Sequence, residues 1–176
     1  IVTRGDDKIP SIRTRTWTLL SQILPQMNVN KFDLSQAVST HLQDTHASVR
    51  RAAILCVSYV SATYELVQFL PRMISHDTSI SVRKTAAEVL TNILLNNETD
   101  NTDDERATNN GVVPSLSITA LWVQAIPSLL QDNEASVQAK ATKLAQRTLL
   151  EYSRPADGYR CLYRKSYSRC GLCRSG

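Results

Sequence analysis

The chain has 176 residues, of which 42% are hydrophobic and only five are glycine. This composition allows a core of domain size but lacks the glycine turns typical of a β protein. The formal net charge is +4. No apolar run approaches the roughly 20 residues that a membrane-spanning helix needs, so we expect no membrane span and no membrane partner.

One motif, Asp-x-x-x-Ser-(Val/Ile)-(Arg/Gln), occurs four times and opens an apolar stretch with helical spacing each time. Its copies begin at Asp7, Asp44, Asp77 and Asp132, at intervals of 37, 33 and 55 residues. The last interval equals a normal unit plus about 20 residues. Periods in the thirties to forties, with two helices per unit, are typical of an α-solenoid.

In chain order, the predicted helices come in pairs joined by the turn that holds the motif aspartate. Pro10 fits a helix only in its first turn, so the first helix should begin there. The helices expected before the later aspartates are Phe32 to Gln43, Tyr64 to Ser75 and Pro114 to Leu130. The helices expected after them have apolar faces from Val49 to Val60, from Ile80 to Leu94 and from Val137 to Leu149, and Asn96 and Asn97 are expected to end the middle one.

The expected fold is all-α, a solenoid of about seven helices in stacked antiparallel pairs. An aspartate suits each turn, because its short carboxylate accepts hydrogen bonds from free backbone N–H groups at a helix entry. One pair cannot bury its apolar face alone, so the units must stack. Because the chain opens at Ile1, almost directly in a second helix, we expect a fragment of a longer solenoid, and no targeting peptide is visible.

Two segments interrupt the repeat. Residues 96–113 have almost no large apolar side chain and are predicted to form a mobile acidic loop, either a solvated insertion or a phosphorylatable or partner-binding loop. Residues 154–176 carry six basic residues against one acidic residue, which leaves a net charge of −1 for the solenoid domain, residues 1–153. The positive charge of the chain therefore does not by itself indicate nucleic-acid binding by the solenoid.

The tail, residues 154–176, is predicted to be a disordered extension, or a product of an unspliced intron or an altered reading frame. It holds Cys161, Cys170 and Cys173, of which the last two form a CxxC pair. A zinc site needs four ligands, and the tail offers neither a histidine nor a second CxxC. A zinc knuckle, a redox pair and stacking of tail tyrosines on single-stranded nucleic acid remain alternatives. The fourth cysteine, Cys56, is predicted to be a small core residue.

No catalytic constellation is visible in the sequence. His41, His46 and His76 lie beside repeat turns, where we expect solvated or capping side chains. The chain has no nucleophile motif, phosphate-binding glycine loop or HExxH motif. We therefore predict no enzymatic activity, no cofactor and no small-molecule substrate.

The motif units resemble HEAT repeats. The resemblance implies a ladder in which the aspartate and arginine of successive units cross-link neighbouring turns. Its predicted members are Asp7, Arg13, Asp44, Arg50, Asp77, Arg83 and Asp132.

Two stretches, 80–95 and 121–141, are similar to the middle HEAT region of the condensin-2 complex subunit D3 family. That family has Ser-Val-Arg-Lys, a variable insertion, a tryptophan helix leading to a proline, and Glu-x-Ser-Val-Gln-x-Lys-Ala, in this order. Trp122, Pro127 and residues 136–141 match this pattern. The similarity covers about residues 7–152; the first two units match only as generic HEAT repeats, and the tail departs from it.

The resemblance implies a non-catalytic subunit of a chromosome-condensing complex in the nucleus, with SMC and kleisin subunits as partners and possible contact with the DNA backbone. The ladder arginines are expected to be paired. The better candidates for sequence-independent, salt-sensitive phosphate contacts are Arg51, Lys84, Lys140 and Lys143. A general HEAT adaptor, serving transport, a phosphatase or microtubules, is the alternative.

Overall fold

The computed structural model describes residues 2–26, 31–60, 64–99 and 115–153. Within these ranges the chain forms eight α-helices and one 3₁₀ turn at Leu24–Gln26, and no strand. The helices are α1 Val2–Gly5, α2 Pro10–Ile23, α3 Lys31–Leu42, α4 Ala47–Val57, α5 Tyr64–His76, α6 Ile80–Thr99, α7 Ser115–Leu130 and α8 Ala135–Ser153. The predicted all-α repeat fold is confirmed.

The predicted helix bounds are mostly correct. Pro10 opens α2, and α3, α5 and α7 begin and end within one residue of the predicted positions. The prediction that Asn96 and Asn97 end a helix is wrong, because α6 continues to Thr99. Asparagine is only mildly unfavourable in a helix, and two of them do not stop one that a long buried face already stabilises. The remainder of the predicted acidic loop, and the tail, lie outside the described residues.

The helices form two layers with the core between them. The second helices of the pairs, α2, α4, α6 and α8, pack side by side in chain order and make the second-helix layer. The helices α3, α5 and α7 make the first-helix layer, and each packs on the second helix of its own pair. The short α1 packs against α2. The largest core side chains include Trp17, Ile54, Leu70, Leu90 and Leu129, each at most 1% exposed.

Helix α6 shows how the sequence produces this packing. Val82, Ala86, Leu90 and Leu94 recur at four-residue steps and are at most 1% exposed. Side chains with this spacing share one face of a helix, and burying each large one stabilises the fold by about 1.5–3 kcal/mol. The opposite face of α6 carries polar residues, and the candidate functional residues of this helix lie on that face.

Cys56 belongs to the core, as predicted. It is fully buried, and its Sγ lies 3.5 Å from the carbonyl oxygen of Trp17. Burial raises the pKa of the Cys56 thiol to about 12, so the thiolate is absent at neutral pH.

His41, in contrast, is not the solvated turn residue that we expected. It lies on the inward face of α3 and is 5% exposed. Its ring nitrogens lie 2.8 Å from the carbonyl oxygens of Ala37 and Gly5, and its ring centroid lies 4.7 Å from that of Trp17. His41 therefore holds α1 against the first unit. The two exposed histidines beside the turns are His46 and His76.

Candidate functional site

Each motif aspartate closes the turn that leads into the next helix. The Oδ1 atom accepts a hydrogen bond from the backbone N–H two residues later, at 2.8–2.9 Å in all four copies. The N–H donors belong to Ile9, His46, Ser79 and Glu134, each of which lies immediately before its helix. The N-cap residues Ile9 and His46 form no side-chain cap bond of their own, so the aspartate fixes the turn and not the first turn of the helix.

The same aspartates receive arginines from the preceding unit. Nε and Nη2 of Arg50 donate to the two carboxylate oxygens of Asp77, both at 2.8 Å. The other rungs, also bidentate at 2.8–2.9 Å, join Arg13 to Asp44 and Arg83 to Asp132. The six side chains are 7–15% exposed. Bidentate, charge-assisted bonds that are largely shielded from water are the strong kind.

Each ladder arginine also binds its own turn. Nη1 of Arg50 donates to the carbonyl oxygen of Asp44 at 2.8 Å, and the bonds from Arg13 to Asp7 and from Arg83 to Asp77 are equivalent, at 2.8 and 2.9 Å. One guanidinium thus ties two successive turns together. The structure brings the predicted ladder residues together as three continuous rungs.

The ladder changes at both ends of the described solenoid. Asp7 receives a side chain only from Arg4, three residues away, at 3.4 Å. Gln138 occupies the arginine position of the last motif and donates to the carbonyl oxygen of Asp132 at 2.7 Å. Glutamine therefore keeps the bond to its own turn but brings no positive charge to a further carboxylate.

The ladder changes the protonation of its carboxylates. Burial raises the pKa of Asp44, but the bonds from Arg13 and from the His46 N–H outweigh burial and lower it below the usual 3.8. Asp132 shows the same balance, with burial opposed by the Glu134 N–H and Arg83, and its pKa is lowered as well. Both carboxylates are therefore ionised at neutral pH, as the rungs require.

A second set of polar contacts joins the second helices on their outer side. Lys84 Nζ donates to Ser136 Oγ at 3.2 Å, and Arg51 Nε donates to Thr85 Oγ1 at 3.4 Å. Lys140 forms an ion pair with Glu88 at 3.0 Å. We call the basic residues on this side the basic stripe; its members are Arg15, Arg51, Lys84, Lys140, Lys143 and Arg147.

Most lysines and arginines of the solenoid lie in the second-helix layer. The four second helices contain nine lysines and arginines and three glutamates, a net charge of +6. Three of the nine are the ladder arginines, which are paired with the turn aspartates Asp44, Asp77 and Asp132, so counting these three aspartates lowers the net charge of the layer from +6 to +3. Helices α3 and α5 each carry one basic and one acidic residue, and α7 carries none.

The predicted phosphate-contacting residues differ in availability. Lys140 is compensated by Glu88. Arg51, Lys84 and Lys143 have no carboxylate partner among the described side chains. Sequence reasoning missed Arg147, which extends the stripe along α8 and donates to Asn92 Oδ1 at 3.0 Å. Its spacing of seven residues, two helical turns, from Lys140 was the available signal.

Trp122 links α7 to α6. Its Nε1 donates to Thr91 Oγ1 at 2.9 Å, and this fully buried hydroxyl donates in turn to the carbonyl oxygen of Ala87 at 2.8 Å. Pro127 lies inside α7 and is exposed. The tryptophan therefore contributes to packing between units, while Pro127 leaves an exposed helix position without an N–H donor.

Two kinds of site are not found among the residues that the structure describes. No three His, Cys, Asp or Glu side chains there come together as metal ligands. None of the helices in that part of the chain combines the length and apolarity needed to cross a membrane.

The paired helices, the aspartate turns and the arginine rungs define a HEAT-repeat α-solenoid, a fold that typically serves as a non-catalytic scaffold. A family model described as a HEAT repeat associated with sister chromatid cohesion matches residues 16–54, the segment from α2 into α4. No curated protein and no solved structure matches the chain. The matched segment, 39 of the 176 residues, is thus similar to a HEAT repeat of chromosome-organising proteins.

Proposed function

We propose that this solenoid is part of a non-catalytic scaffold subunit of a condensin-type complex that acts in chromosome condensation. In this role it binds a kleisin segment and SMC subunits in the nucleus and contacts the DNA backbone through the basic stripe. The observation that carries the DNA role is that Arg51, Lys84 and Lys143 lie on the second-helix layer without a carboxylate partner among the described side chains. The condensin assignment is supported by the Trp122, Pro127 and 136–141 pattern and by the cohesion-associated repeat.

The stripe suits a phosphate backbone better than a base-specific site. Its cations are spread over several helices, and of these Arg15 lines a pocket beside α2 with Thr14 and Thr18. Contacts of this kind read charge rather than sequence, and they release condensed counterions, so binding weakens as salt rises. We therefore expect duplex binding without sequence preference.

The DNA role is tested with the full chain, a labelled duplex and fluorescence anisotropy over a salt series. Changing Arg51, Lys84 and Lys143 together to glutamate should weaken binding strongly and reduce the salt slope by about 3, because about 0.9 counterion is released per phosphate contact. The matched pair of single variants is Arg51→Glu on the stripe and Arg72→Glu on the first-helix layer. Only the first should weaken binding.

The basic tail is the competing source of DNA affinity. A variant with Arg160, Arg164, Lys165 and Arg169 changed to serine removes four of its six positive charges. If that variant loses duplex binding while the stripe variant keeps it, the DNA role of the solenoid is wrong.

The partner assignment is tested separately by purifying the parent protein from dividing cells in mild salt and identifying its partners by mass spectrometry. Recovery of an SMC pair with a kleisin supports the condensin assignment. Recovery of transport, phosphatase or microtubule proteins without SMC subunits favours the general adaptor instead.

A further inference from the structure

The first-helix layer carries two grooves, one on each side of α5. The groove between α3 and α5 has a volume of about 350 Å³, and its apolar lining includes Phe69 and Met73. The groove between α5 and α7 has a volume of about 500 Å³, and its apolar lining includes Pro71 and Leu121. Arg72 lines both grooves, so it stands on the ridge that separates them.

Arg72 is a cation without an acidic partner in the described part of the chain. It is exposed, and α5 has no other lysine or arginine. Asp77 also lines the α3–α5 groove, but both of its carboxylate oxygens already accept bonds from Arg50. The neighbouring α7 has no charged residue at all. The guanidinium of Arg72 is therefore open to a carboxylate from outside the chain.

We propose that an extended acidic peptide of a partner protein docks across α5. Its carboxylate binds the Arg72 guanidinium, whose planar set of donors matches a carboxylate in a bidentate manner. Apolar side chains on either side of the acidic residue enter the two grooves. This assignment rests on the scaffold role proposed above, but it does not depend on DNA binding, which uses the opposite layer.

The helix spacing defines the peptide pattern. Packed helices lie about 8–10 Å apart, and an extended chain advances about 3.3 Å per residue. Apolar side chains in adjacent grooves are therefore about three residues apart, with the acidic residue between them. A nucleic acid fits this surface poorly, since the helices of the first-helix layer carry as many acidic residues as lysines and arginines and offer little to a run of phosphates.

The experiment selects from a phage-displayed library of random 12-residue peptides on the immobilised full-length protein. The selected peptides are synthesised with a fluorescent label, and their Kd is measured by anisotropy. We expect enrichment of Asp or Glu flanked by apolar residues about three positions apart. Arg72→Glu should raise the Kd at least about tenfold, equivalent to about 1.4 kcal/mol. The matched control Arg51→Glu, an exposed arginine on the opposite layer, should leave it within about twofold of the wild-type value.

Two further variants sharpen the result. Gln68 is exposed and lines the α5–α7 groove, so Gln68→Trp should fill that groove and weaken binding without disturbing the core. Replacing the acidic residue of the peptide by its amide should weaken binding to the wild type but have little further effect on Arg72→Glu, because both changes remove the same contact.

The proposal is wrong if the selected peptides lack acidic residues, or if Arg72→Glu and Arg51→Glu affect them equally. It is also wrong if no peptide depends on Arg72. None of these outcomes bears on whether SMC and kleisin subunits co-purify with the parent protein, so failure of this site and failure of the proposed function are distinguishable.

Discussion

The Arg50–Asp77 rung allows a direct test of how the units are coupled. Arg50→Met keeps most of the side-chain length but removes two bonds to the Asp77 carboxylate, both 2.8 Å, and those to the carbonyl oxygens of Asp44 and Thr45 at 2.8 and 3.1 Å. It also leaves the Asp77 carboxylate, 7% exposed, without a cation. Breaking a buried pair from one side costs about 3–5 kcal/mol, and we expect about 3 because both groups keep some contact with water.

The assay is urea unfolding followed by circular dichroism, for Arg50→Met, Asp77→Asn and the double variant. The coupling free energy from this cycle should be about 2 kcal/mol or more. Arg51→Met is the matched control, since Arg51 is the adjacent residue of the same helix, is exposed and makes only a 3.4 Å contact with Thr85. Its effect should stay within about 0.5 kcal/mol. If Arg50→Met and Arg51→Met lower the free energy of unfolding equally, or if the coupling free energy is near zero, the structural role of the rung is refuted.

Two further predictions concern protonation. Because the folded-state pKa values of Asp44 and Asp132 are lowered, their contribution to stability is fully present above the unfolded value of about 3.8 and is lost as pH falls through the folded values. The unfolding free energy of the wild type should therefore fall between about pH 5 and pH 2, and less steeply in Asp132→Asn; parallel pH profiles would contradict this. Burial raises the pKa of the Cys56 thiol to about 12, so iodoacetamide followed by peptide mass spectrometry should label Cys56 only after unfolding. If Cys56 is labelled as fast in the native protein as in the unfolded protein, its position in the core is wrong.

Most of the fold could be predicted from the sequence because the same local signals recur in each unit. Apolar residues at three- and four-residue steps predicted the inward faces of α4, α6 and α8, except that Leu149 of α8 is 63% exposed. An aspartate followed six residues later by arginine predicted the bond that closes the turn and the rung from one motif. The packing of such repeats can be predicted without knowing the long-range contacts, because each unit packs against its neighbour in the same way.

Where prediction failed, the deciding interaction lay outside the repeat unit. The core position of His41 depends on the carbonyl oxygen of Gly5, which precedes the first motif. The compensation of Lys140 depends on Glu88, a residue of α6 that the motif does not include. The net charge of residues 1–153 did not predict the basic stripe for a related reason. A net charge does not show where in the fold the acidic residues that balance the basic ones lie.

The two layers differ in how firmly they join the units at one boundary, whereas α5–α7 and α6–α8 pack to a similar extent at the next boundary. Across the boundary between the α3–α4 and α5–α6 pairs, α4 packs closely on α6, while α3 touches α5 only slightly. The Arg50–Asp77 rung crosses this same boundary, so it and the α4–α6 packing set the spacing of the units there. A change in that spacing would chiefly alter the groove between α3 and α5, whose lining includes Asp77. A peptide that lies across α5 would therefore bind best when the rung is intact, and Arg50→Met should weaken it even though Arg50 does not line either groove.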